Sequence, residues 1–348
     1  MNEQVKSYCD LLIKNREIMN NEFKWNYSMM NLVGALAYSS ARKEADPERL
    51  KECSEIVRKN SGIFSAFRST SNVVIVSKMA ISPDPERYFS ELKEIYEKVA
   101  KAGSWFTDSA YLVQVSMLIL DSGARGREDE IIARYQEIYQ RMAKIHPILT
   151  SSENLAYAVL LAMTGRDVDT IILEMETCYT YLYRENRAPA GANEIQALSE
   201  ILALTDGDMK EKCDRVVELY NTFKANGVKY GTSYSEFSSL GVLIDIPQER
   251  NALVKEILET SDYLKTQKGF GSWSMDNKQR LMFAAMIVGN SYNTGSTAGG
   301  GSLLGGSAGS SILDSTVIGS TISMVIAEEI AILICICMIN TSSSTVTT

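Results

Sequence analysis

The segment KEIYEKVAK (93–101) recurs as QEIYQRMAK (136–144), and this near-copy decides the fold class. Along the chain, a glutamate recurs at an equivalent place in each copy, about 38 to 43 residues from the next, which is typical of paired-helix repeats. These glutamates are Glu55, Glu94, Glu137, Glu176, Glu218 and Glu256. The sequence therefore predicts an array of helical hairpins.

Each repeat contains two kinds of helix. The B-type helix is long, charged and amphipathic, with apolar residues at i, i+3/i+4 and i+7. The A-type helix is shorter and almost entirely apolar, as in LAYAVLLAM (155–163), and such a helix must be covered on most sides. We predict an all-α, two-layer array of about seven hairpins over residues 1–289, with a period of about 41 residues, as an α/α toroid or an α-solenoid.

The two kinds of loop carry different signals. The A-to-B loops contain Asp46-Pro47 and Asp84-Pro85, and a proline in the first turn favours a helix start. The B-to-A loops, such as KYGTSYSE (229–236), combine a glycine with polar capping residues. We therefore expect one kind of junction at each end of the array.

Composition excludes several classes of function. The net charge of −8 and a pI near 5.0 argue against a duplex-binding protein, which needs a basic surface. With one histidine, His146, and no CxxC pair, we expect no metal site and no cofactor. The amino-terminal segment lacks the apolar core of a secretory signal, which favours the cytoplasm and reduced thiols, with four of the cysteines buried in helices. These four are Cys9, Cys53, Cys178 and Cys213.

The carboxyl end departs from the repeat. Residues 290–311 are Gly/Ser-rich and predict a linker, residues 312–340 predict an apolar helix, and 341–348 predict a disordered tail. The apolar helix is long enough to span a bilayer, but Glu328 and Glu329 lie near its middle. We therefore expect it to pack on the last repeat or to pair subunits in a homo-oligomer, without spanning a membrane.

All three tryptophans fall in B-to-A loops, close to whole numbers of repeats apart, and should lie at one end of the array. GSWFTDS (103–109) and GSWSMDN (271–277) share Gly-Ser-Trp-x-x-Asp. In one interpretation the indoles staple adjacent helices and the aspartates cap them. In the other they form a ligand platform. Residues 267–273 also fit the Gln-x-x-x-Gly-x-Trp repeat of triterpene cyclases, but the DxDD acid motif of those enzymes is absent.

The candidate ligand-binding residues come from these loops and the first helical turns after them. They combine aromatic rings with carboxylates and amides, a set suited to a sugar or a peptide. The candidates are Trp105, Asp108, Glu153, Asn193, Glu194, Glu236, Trp273 and Asp276.

Four separated blocks carry a resemblance to a known family. They are NREIMNNEFKW (15–25), GIFSAFRS (62–69), HPILTSSENLAYAVLLAMTGRD (146–167) and KGFGSWSMDNKQRLMFAAMIV (268–288). Together they resemble a bacterial family known only as domain of unknown function 4003, over about residues 1–290. The resemblance implies a cytoplasmic bacterial protein of uncharacterised activity, and it supplies no catalytic residues.

Two functional hypotheses remain open. The first is a non-enzymatic scaffold that binds a peptide or protein partner on its concave face. The second is an α/α-toroid enzyme that acts on a carbohydrate or another small substrate at the aromatic and acidic loop ends.

Overall fold

The structure is a computed structural model that describes residues 1–63, 65–103, 107–294 and 315–344. Every regular element in these ranges is helical, which confirms the all-α class. B-type and A-type helices alternate. The B-type helices are α1 (Glu3–Glu22), α3 (Pro47–Asn60), α5 (Pro85–Ala102), α7 (Glu128–Ile145), α9 (Val168–Tyr179), α11 (Met209–Ala225) and α13 (Arg250–Lys265). The A-type helices are α2 (Ser28–Ser40), α4 (Asn72–Ile81), α6 (Ser109–Asp121), α8 (Leu155–Met163), α10 (Ala192–Leu202), α12 (Tyr234–Ser238) and α14 (Asn277–Thr294).

The chain divides into two compact units. One contains Met1–Cys9 and Ala133–Ser323, and the other contains Asp10–Ile132 and Met324–Thr348. The predicted division at residue 289 remains a prediction, as does the choice between toroid and solenoid. A last helix, α15 (Ser315–Ser344), covers most of the segment predicted as an apolar helix and extends into the predicted tail. Helix α14 extends into the predicted linker. The rest of the linker and of the tail lies outside the described residues.

Carboxylates fix the starts of the B-type helices, as the A-to-B loops predict. The Asp46 side chain accepts hydrogen bonds from the backbone N–H groups of Glu48 and Arg49, and Asp84 accepts one from Arg87. A proline follows each aspartate at the first helical position, where its missing N–H costs nothing. Asp167, Asp208 and Glu249 cap α9, α11 and α13 in the same way.

The A-type helices are the buried layer. Every residue of α8 is buried, whereas α5 buries only one stripe. In the unit formed by Ala133–Ser323, neighbouring A-type helices run in the same direction. Gly241, just after α12, faces Leu198 and Ile201 near the end of α10, and Gly289 near the end of α14 faces Leu243. The absence of a side chain at these glycines allows the close approach.

The predicted burial of cysteines is confirmed. Cys9, Cys53, Cys178 and Cys213 are all buried. Cys178 and Cys213 also meet between α9 and α11, with their sulfur atoms 3.2 Å apart. A short π-helical turn, Thr180–Arg184, directly follows α9.

We expect Gly241→Ala to destabilise the protein by about 1 to 3 kcal/mol, the usual cost of overpacking a core. A Cβ at this position would lie 2.7 Å from Ile201 Cγ2 and 3.2 Å from Leu198 Cδ1. These contacts require the two packed side chains, or the helix itself, to move. Urea denaturation of the variant measures the loss.

Gly62→Ala is the matched control. A Cβ there meets no heavy atom within 4 Å, so we expect its stability to stay within about 0.5 kcal/mol of the parent. Equal effects of the two substitutions would contradict close packing at Gly241.

Candidate functional sites

The B-to-A loops of the Ala133–Ser323 unit lie at one end of its helices. Gln196 Nε2 donates to Thr150 Oγ1 over 3.1 Å, and Asn154 Nδ2 lies 3.4 Å from the hydroxyl oxygen of Tyr234. These contacts join the starts of α8, α10 and α12, and α14 runs in the same direction. We call segments 144–154, 183–194, 224–236 and 265–278 the B-to-A surface.

Two of the four predicted acids of this surface, Glu236 and Asp276, serve as helix caps. Asp276 Oδ1 accepts from Lys278 N over 2.8 Å and from Gln279 N over 3.0 Å at the start of α14. Buried Glu236 accepts from Ser233 N over 3.1 Å in a capping box. In the other unit, Asp108 caps α6 through Ala110 N at 2.8 Å. The capping interpretation therefore accounts for three predicted residues.

The remaining predicted residues occupy the first turns of their helices. Glu153 lies in a short 3₁₀ turn, Ser152–Asn154, where burial raises the pKa of its carboxyl group. Asn193 and Glu194 lie in the first turn of α10. Trp105 lies outside the described residues. A role of these groups in binding remains a proposal.

The tryptophans do not staple helices as one interpretation expected. Trp25 precedes α2 and Trp273 precedes α14, as predicted, but both side chains are fully exposed. A fully exposed indole ring buries no area against its own chain and contributes no packing energy to the fold. The staple interpretation is therefore wrong for these two residues, and their location at one common end remains a prediction.

Sequence reasoning missed a buried polar network behind the B-to-A surface. Asn154 Nδ2 donates to Glu200 Oε1 over 2.8 Å, and Gln196 Nε2 donates to the same oxygen over 3.3 Å. Burial raises the pKa of Glu200 to about 8, against the opposing effect of these hydrogen bonds. The carboxyl group is therefore mostly protonated at neutral pH. One signal was available: Glu200 is an acid inside the otherwise apolar stretch IQALSEILAL (195–204).

A small crevice opens beside this network. His146 Nε2 lies 2.8 Å from Glu176 Oε1. Both residues line the crevice with Tyr179 and Gln196, and the space of about 10 Å³ holds about one water molecule. An imidazole oriented by a carboxylate is the arrangement of a general base, although the crevice is too small for a sugar ring.

A second site lies in the unit formed by Asp10–Ile132 and Met324–Thr348, where α15 packs on A-type helices. Lys78 Nζ of α4 lies 2.6 Å from Asp121 Oδ2 and 3.8 Å from Glu328 Oε1. Tyr88 donates its hydroxyl proton to Asp121 Oδ1 over 2.8 Å. Gln114 of α6 donates to the backbone carbonyl of Val325 over 3.4 Å.

These contacts explain the acids in the apolar helix. Glu328 and Glu329 are buried inside the protein, and burial raises the pKa of Glu328 against the opposing charge of Lys78. In the other unit, Ser323 of α15 donates to Asn290 of α14 over 3.2 Å, consistent with packing on the last repeat. Within the described residues, the window Ile318–Cys335 is long and apolar enough to cross a membrane, but 72% of it is buried in the protein. The helix is therefore weak evidence for a membrane span.

In its described residues this is an all-helical protein with capped helices and a buried polar network. The chain belongs to the family described as "Protein of unknown function (DUF4003)", which matches residues 15–331 and confirms the resemblance seen in the sequence. It is similar to the "Uncharacterized protein YeaA" of Bacillus subtilis (strain 168), with 24% identity over 276 residues, covering 78% of this chain and 80% of the relative. No solved structure matches the chain. Among the described residues, no group of three or more His, Cys, Asp or Glu side chains is placed to hold a metal ion.

We expect Glu200→Gln to remove a pH-dependent loss of stability. The Glu200 pKa is about 8 in the folded protein, against an ordinary value of 4.5. Between these values the folded protein keeps the proton while the unfolded chain releases it. Stability therefore falls as pH rises through this window, by at most about 1.4 kcal/mol per pH unit. Urea denaturation across the window should show the variant gaining stability on the parent as pH rises.

Glu194→Gln is the control, because Glu194 lies on the same helix but remains partly exposed. Its stability difference from the parent should change little over the same window. Parallel curves for the parent and Glu200→Gln would show that Glu200 titrates normally and that the network does not hold a neutral acid.

Proposed function

We propose that this protein is a helical-repeat scaffold that binds a peptide or protein partner on the layer of A-type helices, the face predicted to be concave. The observation that supports this is the packing of α15 against α4 and α6. There, the A-type layer already binds an apolar helix from the same chain. A partner helix would use the same chemistry.

The contacts to α15 combine general and selective recognition. The bond from Gln114 to the Val325 carbonyl is independent of the bound side chain, so it suits any helix. Lys78 instead favours a carboxylate at one position of the bound helix, the position of Glu328. Apolar area supplies affinity in helix-in-groove binding, and such polar anchors set register and specificity. The expected partner segment is therefore an apolar helix with an acid on the bound face.

Some buried polar atoms where α15 packs on α4 and α6 lack hydrogen-bond partners among the described residues. Gln114 Oε1 is buried and has no hydrogen-bond partner among the described residues. Glu328 Oε1 lies beyond hydrogen-bond distance from Lys78 Nζ. Each unsatisfied buried polar atom costs about 1 to 3 kcal/mol. A competing helix whose polar groups complete these hydrogen bonds would avoid this cost and could therefore bind more tightly than α15.

Hydrogen exchange of the whole protein tests the proposal. We expect amides of Ile318–Cys335 to open at lower free energy than those of α4 and α6, because an exchangeable occupant leaves before the fold does. Glu328→Gln should accelerate exchange in α15 selectively. A solubilised peptide copying 318–335 should bind this variant more tightly than the parent, and a copy with Glu328→Lys should not bind. Exchange of α15 only with global unfolding, together with no peptide binding, would make α15 a permanent part of the core and overturn the proposal.

One observation favours the enzymatic alternative, an activity on a carbohydrate or another small substrate. The His146–Glu176 pair lines a crevice on the surface that carries Glu153, Glu194 and Trp273. If this pair is a general base, His146→Gln should lower any hydrolysis of nitrophenyl glycosides or esters by about 100-fold or more, with thermal stability little changed. Lys144→Gln, two residues away in the chain and exposed, is the control. Hydrolysis by the parent that does not depend on His146 would contradict this assignment.

A further inference from the structure

We propose that the B-to-A surface docks on an anionic membrane as a peripheral contact, with Ile148 and Trp273 in the lipid interface. This inference does not rest on the scaffold proposal, which concerns the other unit. Three features of the surface support it: protruding apolar side chains, an excess of exposed lysines and the small size of the crevice beside them.

The apolar side chains of this surface project into solvent from separate loops. Trp273 is fully exposed and Ile148 is 94% exposed. Ile145 and Tyr183, at the ends of the adjacent B-type helices, are also exposed. Ile148 and Trp273 bury almost none of their side-chain area against the protein. Tryptophan and tyrosine favour the boundary between water and lipid, where the ring is buried and its polar group stays hydrated.

The same surface is basic, although the protein is acidic. Its four segments hold eight Lys and Arg against five Asp and Glu, in a chain of net charge −8. Five exposed lysines of the B-to-A surface form no ion pair with a carboxylate among the described residues. They are Lys144, Lys224, Lys229, Lys265 and Lys278. Two carboxylates are already engaged, because Asp276 caps α14 and Glu185 pairs with Arg187.

The opposite end of the same unit is different. There, Arg166 pairs with Asp206 and Arg215 pairs with Asp245. These two arginines therefore have carboxylate partners within the chain. The uncompensated cations are therefore concentrated on the end that carries Ile148 and Trp273, and anionic lipids attract such a cluster.

The shape favours a membrane over a peptide or a protein. A bound peptide needs a groove for its side chains, and a stable protein interface needs about 800 Å² of contiguous contact. The crevice beside His146 holds about one water molecule, and the protruding residues lie on separate loops. A lipid surface accepts each projecting side chain separately, so it requires no groove.

Sedimentation of the whole protein with vesicles tests the proposal. We expect binding to vesicles that contain phosphatidylglycerol, little binding to pure phosphatidylcholine, and release by salt. Trp273→Ser and Ile148→Ser should each lower the partition coefficient about tenfold, the effect of removing one large inserted side chain. Lys229→Glu and Lys278→Glu should weaken binding to the anionic vesicles. Thermal unfolding should be unchanged in all four variants, because these side chains are exposed.

Leu173→Ser is the matched control, because Leu173 is also an exposed apolar residue, at 67%, but lies on α9 outside the B-to-A surface. Its binding should equal that of the parent. No binding to anionic vesicles, or binding that Trp273→Ser and Ile148→Ser leave intact, would overturn the proposal, and the second result would indicate contact through α15. If soluble polyglutamate binds with the same residue dependence while vesicles do not, the partner is an acidic protein segment and the membrane assignment is wrong.

Discussion

The need to cover the A-type helices governs the rest of this structure. A helix such as α8, in which every residue is buried, has no side suited to contact with water and must be enclosed by other helices. The chain meets this requirement by alternating each A-type helix with an amphipathic B-type helix. Repetition follows, because one hairpin cannot enclose its own apolar helix. Close approach at Gly241 and Gly289 then sets how tightly successive A-type helices pack.

The same alternation separates the charges of the Ala133–Ser323 unit. The helices α9, α11 and α13 begin at capping carboxylates, and α7, α11 and α13 carry a lysine in the last turn, as the helix dipole favours. Because successive B-type helices start at the same end, the acids gather at one end and the lysines at the other. Asp206 and Asp245 near the first end pair with Arg166 and Arg215, whereas several lysines at the second end have no carboxylate partner among the described residues. A basic, aromatic surface on an acidic protein is therefore a consequence of how the helices are capped.

The sequence was informative where a single local rule decides the structure. Periodicity predicted the alternation of helices, Asp46 and Asp84 marked helix starts, and apolar surroundings predicted buried thiols. It failed where a side chain had several possible environments. The spacing of Trp25 and Trp273 showed their loops but not that their rings face solvent. Glu200 stands out as an acid in a largely apolar stretch, but its network was not predictable, because its amide partners Asn154 and Gln196 come together only in the folded unit.

For the carboxyl-terminal helix, composition alone does not distinguish a membrane span from a core helix, and the contacts of its side chains do. By length and hydropathy, Ile318–Cys335 would suit a bilayer as well as a protein core. Glu328 separates the two environments: in hydrocarbon it would lack a partner, whereas here it faces Lys78, which Asp121 also binds. Burial is the main cause of the raised pKa of Glu328, the charge of Lys78 opposes it, and the nearby carboxylate of Asp121 adds to it. The cluster therefore fixes the register of α15 more effectively than it stabilises the fold, because buried charges repay their desolvation only in part.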